Sequence, residues 1–201
     1  MKVIIARHGQ TDENVQAIIQ GQGIDSLLNE EGVRQAKKLA EFLKDEKITV
    51  AYASPLKRAV HTAEEVLRHH PSVKIETTDH LKEQNLGIYE GRRKAEWKEI
   101  KKNTREPFHL FKPEKGESYA ELQDRVRNFF EELLAKHQDD TVFMVSHGGT
   151  LGMLYLYILG KELNEENYKA VRSDNTALTI LEVHKGKPHT VHVINSTKHL
   201  N

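Results

Sequence analysis

The chain contains no cysteine. Disulfides, thiolate-held zinc and a thiol nucleophile are therefore excluded together. It also lacks net charge, since 30 Lys+Arg balance 30 Asp+Glu. There is no global basic field to gather nucleic acid and no acidic tail, so an anion site has to be local, built from a few arginines. Long apolar runs are missing as well. The first one, Val3-Ile4-Ile5-Ala6, is broken by Arg7. It is too short for a signal-peptide core, and no later stretch approaches a membrane span. These absences lead to the expectation of a cytoplasmic protein with neither membrane nor nucleic-acid partners. What is there, 37% hydrophobic and 30% charged residues over 201 positions, suffices to bury a core and suits one domain over residues 1–201.

Apolar periodicity sets out an alternation of strands and helices. Residues 3–6 read as a buried strand. Asn29-Glu30-Glu31-Gly32 opens a helix to about Lys44, with Val33, Ala36, Leu39, Ala40 and Leu43 on one face. Residues 48–53 read as a second strand, stopped by Ser54-Pro55, and a helix follows over 56–69. Residues 73–77 form a short strand. The segment 84–117 is irregular and charged, with Pro107, Pro113 and Gly116, and reads as an excursion over the sheet with a short helix near 95–100. Ser118 followed by Glu121 has capping-box spacing before a helix that runs to about Lys136. Residues 141–145 are another buried strand and 151–159 an apolar helix. Segments 178–183 and 190–194, joined around Gly186-Lys187-Pro188, read as an antiparallel pair. The alternation predicts a mainly parallel sheet covered on both faces, with an antiparallel addition at the end.

Four segments carry residues with chemistry, and each follows a predicted strand or opens the helix after one. They are Arg7-His8-Gly9 with Asn14, the run from Ser54 to Arg58, Leu81-Lys82-Glu83, and Ser146-His147-Gly148-Gly149. In a parallel sheet such ends share one edge, where open α/β sheets bind ligands. A phosphoryl group in transfer spreads negative charge over its equatorial oxygens. Fixed cations and N–H donors around those oxygens are then the main catalytic resource. Arg7 and Arg58 supply guanidinium forks that match phosphate geometry. Asn14 adds an amide donor, and the N–H groups of Gly148 and Gly149, at the start of a helix, can face an anion. A histidine in the position of His8 can act as nucleophile on a phosphoryl group, provided its attacking nitrogen is neutral. The neighbouring arginines favour that neutral form.

In order and spacing these motifs, with Gly21-Gln22-Gly23-Ile24-Asp25 leading to Leu28 and Gly32, resemble the histidine phosphatase superfamily, the phosphoglycerate-mutase-like proteins. The resemblance covers nearly the whole chain. It implies an α/β fold, a three-layer α/β/α sandwich around a mainly parallel six-stranded sheet with one antiparallel strand, capped by the segment 84–117. It implies hydrolysis of a small phosphorylated metabolite through a phosphohistidine on His8. His147, when protonated, would help hold the transferring group. Glu83 would protonate the leaving alkoxide and then act as base on the attacking water. Arg7, Asn14, Gln20, Gly21, Arg58, His147 and Gly148 would surround the phosphate. No metal or other cofactor is implied, because the arginines neutralise the charge. A rate that falls at high pH follows, since Glu83 must carry a proton in the first step. Relatives occur as monomers, dimers and larger assemblies, which leaves a homodimer open.

Other readings compete with this one. A phosphoglycerate mutase using 2,3-bisphosphoglycerate is kept alive by Lys94, which falls where the mutase lysine falls. No consecutive arginine pair follows Lys94, however, Arg105 being the only arginine before Arg125, and the segment after Gly91 is shorter than in mutases. A non-catalytic phospho-ligand binder shares the clamp but needs neither nucleophile nor acid. Ser54-Pro55-Leu56-Lys57 with Ser173-Asp174-Asn175 also fits the S-x-x-K and S-D-N motifs of penicillin-recognising enzymes. The third element is missing, Lys185-Gly186-Lys187 being a poor substitute, and His8, Arg58 and His147 go unused. The late histidines, His184, His189, His192 and His199, lack companion ligands at metal-site spacing. Trp97, Tyr89, Phe108 and Phe111 are expected either to face substrate or to anchor the cap.

Overall fold

Strand β1 (Lys2–Arg7) is apolar on both faces because both are covered. Its Val3 and Ile5 pack with α5 (Tyr119–Lys136) and α6 (Gly148–Ile158), while Ile4 and Ala6 pack with α2 (Glu30–Leu43) and α3 (Lys57–Leu67). These are the three layers. The computed structural model describes residues 1–184 and 189–201. Lys185 and the turn expected around Gly186-Lys187-Pro188 lie outside the described residues. The other strands are β2 (Val50–Ala53), β3 (Ile75–Thr77), β4 (Thr141–Ser146), β5 (Leu178–Glu182) and β6 (Thr190–Ser196). The six-stranded sheet has the order β3-β2-β4-β1-β5-β6. β1, β2, β3 and β4 run parallel, β5 is antiparallel to β1, and β6 is antiparallel to β5. One strand therefore runs against the rest, as expected.

Register decides where the chemistry goes. Arg7 lies opposite Ser146, and Ala53 opposite Val145, so the residues after β1, β2 and β4 leave the sheet at one edge. Because β5 is reversed, it is the segment before it that reaches this edge. The Arg7 N–H donates to the Ala177 carbonyl (3.2 Å), which places residues 172–177 beside the first motif.

Local rules set the helix starts. Asn29 caps α2 through the Gly32 N–H (2.9 Å). Ser118 and Glu121 form the expected capping box on α5, and Thr11 with Asn14 forms another on the short α1 (Asp12–Val15). Helix α4 (Lys94–Asn103) runs longer than the expected 95–100, held by Trp97 in a small cluster with Ile19 and Leu86. Helix α7 (Glu165–Ala170), capped by Asn164, was not expected, since six residues are too few to show a periodic pattern. Pairing in β2 and β3 starts two residues later than the apolar runs suggest, and β6 continues to Ser196. The α6 start also differs. Expected over 151–159, the helix begins at Gly148, the glycine pair forming its first turn, whose orphan N–H groups meet an acceptor from another segment.

Candidate active site

His8 sits one residue beyond β1, 2% exposed. Its Nδ1 lies 2.7 Å from the Gly9 carbonyl. A carbonyl only accepts, so Nδ1 carries the proton and Nε2 keeps the lone pair. Burial pushes the His8 pKa well below the usual imidazole range, and Arg7 and Arg58 push it the same way. The ring is thus a neutral base with a fixed tautomer.

Arg58, on the first turn of α3, is 1% exposed. Three of its N–H groups are engaged by the protein: Nε with His147 Nδ1 (3.2 Å), Nη1 with the Ile24 carbonyl (2.8 Å) and Nη2 with the Gly21 carbonyl (2.9 Å). A guanidinium has five such donors, so part of the fork stays free for an anion. The same bonds tie the loop of residues 20–25 to the sheet edge. Gly21 has φ +52°, and a Cβ there would run into the Glu90 carboxylate, which accepts from the N–H groups of Gln22 (2.9 Å) and Gly23 (2.7 Å).

The His147 ring is fully buried, 5.1 Å from His8 between centroids and tilted by 55°. Its Nδ1 accepts from Arg58, so Nε2 carries the proton, and Nε2 has no partner. Burial, and then Arg58 and His8, hold its pKa well below the usual range. In this structure His147 is thus a single donor through Nε2, and its expected role when protonated concerns a bound phosphoryl group. Arg7 has a similar orphan. Its Nη1 donates to the Ser173 carbonyl (2.7 Å), while Nε is buried without a partner close to Gly148. Burial lowers the Arg7 pKa, with Glu83 opposing.

Glu83 reaches this cluster after β3. Its carboxylate accepts from the N–H groups of Gly149 and Thr150 (3.2 Å each) and of Gln84 (2.9 Å). It caps α6 from another segment, so the Gly149 N–H faces the protein's own carboxylate and not an added anion. A Cβ at Gly149 would lie 2.5 Å from Glu83 Oε1, which is why the pair of glycines opens this helix. Arg125 braces the loop from below, donating to the carbonyls of His80 (2.8 Å), Lys82 (3.1 Å) and Glu83 (3.3 Å) while paired with Glu117 at 2.6 Å.

A cavity of about 190 Å³ opens onto these groups. Arg7, His8, Arg58, Glu83 and Gly148 line it, as do Asn14, Gln20, Gly21 and Lys94, and His147 packs beside His8 and accepts from Arg58. Asn14 is the partner of Thr11 in the α1 capping box and also lines the cavity. Its Oδ1 accepts from Thr11 N–H (3.3 Å) and from Asn175 Nδ2 (3.1 Å). The Ser173-Asp174-Asn175 segment proves to be a brace: Asn175 also donates to the His8 carbonyl (3.0 Å). Among the aromatics, Trp97 lines the cavity, whereas Tyr89 and Phe111 anchor it at 4.9 and 5.4 Å, and Phe108 stacks on Tyr119 at 4.5 Å. Of the late histidines, His192 faces Glu182 at 3.4 Å, away from this edge.

Sequence reasoning missed Lys98, Lys101, Tyr119, Tyr168 and Arg172 as cavity residues. The recurrence of Lys94, Lys98 and Lys101 at i, i+4 and i+7 was a legible signal of one helix face. Nothing in the sequence pointed to Arg172, whose place depends on the reversal of β5.

The chain matches the model of the histidine phosphatase superfamily (branch 1) over residues 3–196. It is 38% identical over 179 residues to a metal-independent phosphoserine phosphatase of Arabidopsis thaliana, covering 81% of the chain and 73% of that protein. With the probable fructose-2,6-bisphosphatase TIGAR A of Danio rerio it shares 32% identity over 149 residues, 73% of the chain but only 58% of that relative's length. Among solved structures, Bacillus stearothermophilus YhfR superposes with a TM-score of 0.89 at 28% identity, covering 100% of the chain and 99% of its own. The chain therefore belongs to branch 1 of the histidine phosphatase superfamily and is a phosphomonoester hydrolase of that family.

Proposed function

We propose that the chain hydrolyses small phosphomonoesters through a covalent phosphohistidine on His8. One observation carries this reading. Two buried N–H donors without partners, Arg7 Nε and His147 Nε2, flank a neutral histidine whose Nε2 holds the lone pair. Orphaned buried donors call for an acceptor, and a phosphoryl group supplies several. His8 Nε2 attacks phosphorus and the ester oxygen leaves. Arg7, Arg58, His147 and the Asn14 amide stabilise the charge that develops on the equatorial oxygens. Glu83 gives a proton to the leaving oxygen. It then takes a proton from the water that cleaves the phosphohistidine. Gln20 and Gly21 shape the phosphate end of the cavity. A small ester suits a cavity of about 190 Å³.

Guanidinium groups carry the charge neutralisation, so the reaction is assigned to the chain's own residues without metal or cofactor. The reading goes with a cytoplasmic setting among phosphorylated metabolites and without nucleic-acid or membrane partners. A homodimer is compatible with it, since every residue it uses comes from one chain. The test is a panel of phosphomonoesters incubated with the protein in the presence of a chelator, following phosphate and phosphoglycerate isomers together. Phosphate release that survives the chelator and is lost in His8→Ala is expected. Isomer exchange with little phosphate released would make the enzyme a mutase and assign Lys94 to its substrate. Release that persists in His8→Ala would overturn the nucleophile.

A further inference from the structure

Strand β6 is the last strand at one end of the sheet, and none of its residues lines the cavity. Near its end the pairing with β5 changes register. Between the pairs Leu178–Ser196 and Ile180–Val193, β5 contributes one residue, Thr179, and β6 two, Ile194 and Asn195. This is a β-bulge, a feature that re-aims a side chain. Asn195 takes φ +48°, a left-handed conformation that is costly for most side chains and that asparagine tolerates.

The bulge turns Asn195 into a clamp. Its N–H donates to Thr179 Oγ1 (3.1 Å), which pins the residue to β5. The Val171 carbonyl only accepts, so the atom of Asn195 that faces it at 2.9 Å is Nδ2. Oδ1 then accepts from the Ser173 hydroxyl at 2.5 Å. One side-chain amide thus holds the residues on both sides of position 172. From Ser173 the link runs on into the site, since its carbonyl accepts from Arg7 Nη1 at 2.7 Å. Among the described residues that is the only side-chain hydrogen bond of Arg7, whereas Arg58 is held by three. The aim of Arg7 therefore depends on where the Ser173 carbonyl stands. A bulge that only protected a sheet edge would need no amide directed inward at this segment.

We infer that Asn195 is a positioning residue: by holding Ser173 and Val171 it fixes the carbonyl that aims the Arg7 guanidinium at the transferring phosphoryl group. This rests on the role given to Arg7 in the proposed reaction. The effect falls on kcat more than on KM, because a misaimed donor loses more in the transition state than in the bound ester.

The test is a double-mutant cycle with p-nitrophenyl phosphate as substrate. Asn195→Gly keeps the left-handed backbone accessible and removes both side-chain bonds. In the parent it lowers kcat about tenfold and leaves KM within about twofold, as expected when a donor is displaced. In an Arg7→Ala background no guanidinium is left to aim, and the same substitution changes kcat by less than about twofold. Ser173→Ala breaks the clamp from its other side, keeps the carbonyl, and shows the same dependence on Arg7. It replaces Asn195→Gly should that variant fail to fold. Equal losses in the two backgrounds, or no loss in the parent, mean that Asn195 serves the fold alone; they overturn the inference and leave hydrolysis standing. A parent that turns over no phosphomonoester defeats the hydrolase reading instead. Positioning is then read from the affinity for inorganic phosphate by calorimetric titration. Asn195→Gly weakens that affinity several-fold in the parent and leaves it unchanged in Arg7→Ala, and an equal change in both, or none in either, overturns it.

Discussion

At the sheet edge Arg58 spends three hydrogen bonds on the protein and His8 one, and both side chains are sealed from solvent. At the cap, Lys94, Lys98 and Arg172 make no side-chain hydrogen bond among the described residues, and Lys98 and Arg172 are exposed. One end of the cavity is held by the protein's own hydrogen bonds, and the other carries long side chains without them. Preorganised donors are what charge development in a transition state requires. Under the proposed function the strand ends hold the reacting phosphate, while α4 and the segment before β5 line the cavity beyond it.

The largest break in this comparison comes from Arg58→Ala. It removes a phosphate donor, the partner of His147 Nδ1 and the donor to the Gly21 and Ile24 carbonyls. A fall in kcat of about 10²–10³-fold, the size seen when one preorganised donor is lost, is expected, together with a lower melting temperature from the unsatisfied carbonyls. Arg58→Lys does not restore either, because an ammonium cannot hold three separated acceptors. Arg172→Gln and Lys101→Gln, at the cap, leave the melting temperature within a degree or two of the parent.

A smaller effect separates the ends by pH. His8 and His147 are buried with pKa values held well below the ordinary range, by burial first and by the arginines second. As pH falls through about 6.5, the unfolded chain takes up protons that the folded chain refuses. Stability is therefore full above that value and declines below it. Melting scans between pH 7.5 and pH 5 should show this decline, and His8→Asn should flatten it. An equal decline in parent and variant would mean that His8 is not held neutral by its surroundings.

The phosphate end was legible in the sequence because backbone rules place it. An apolar run that ends in Arg7-His8, and another that ends in Ser146-His147, put their residues at one edge once the strands are parallel. Caps carried by Asn29 and Ser118 marked helix starts for the same local reason. The cap end was less legible. Lys101 matters through enclosure by Trp97, Phe108 and Tyr119, contacts between segments that no local pattern encodes. Arg172 matters through the reversal of one strand. That Arg58 Nε donates to the His147 ring is not legible in the sequence, which brings the two residues to one edge but encodes no contact between them. The first turn of α6, over Gly148 and Gly149, lies ahead of the expected 151–159 because the acceptor that stabilises it, Glu83, is more than sixty residues away in the chain.

On the proposed mechanism His8 Nε2 becomes phosphorylated. The most direct measurement is a rapid quench at alkaline pH, where phosphohistidine survives, of enzyme mixed with a turned-over ester, followed by mass spectrometry of the peptide that contains His8. The account predicts a phosphoryl group on His8 that appears within a single turnover, decays at the rate of phosphate release, and is absent from His8→Ala. A peptide that stays unmodified while phosphate is released in a burst-free reaction, or a label found on another residue, would contradict it.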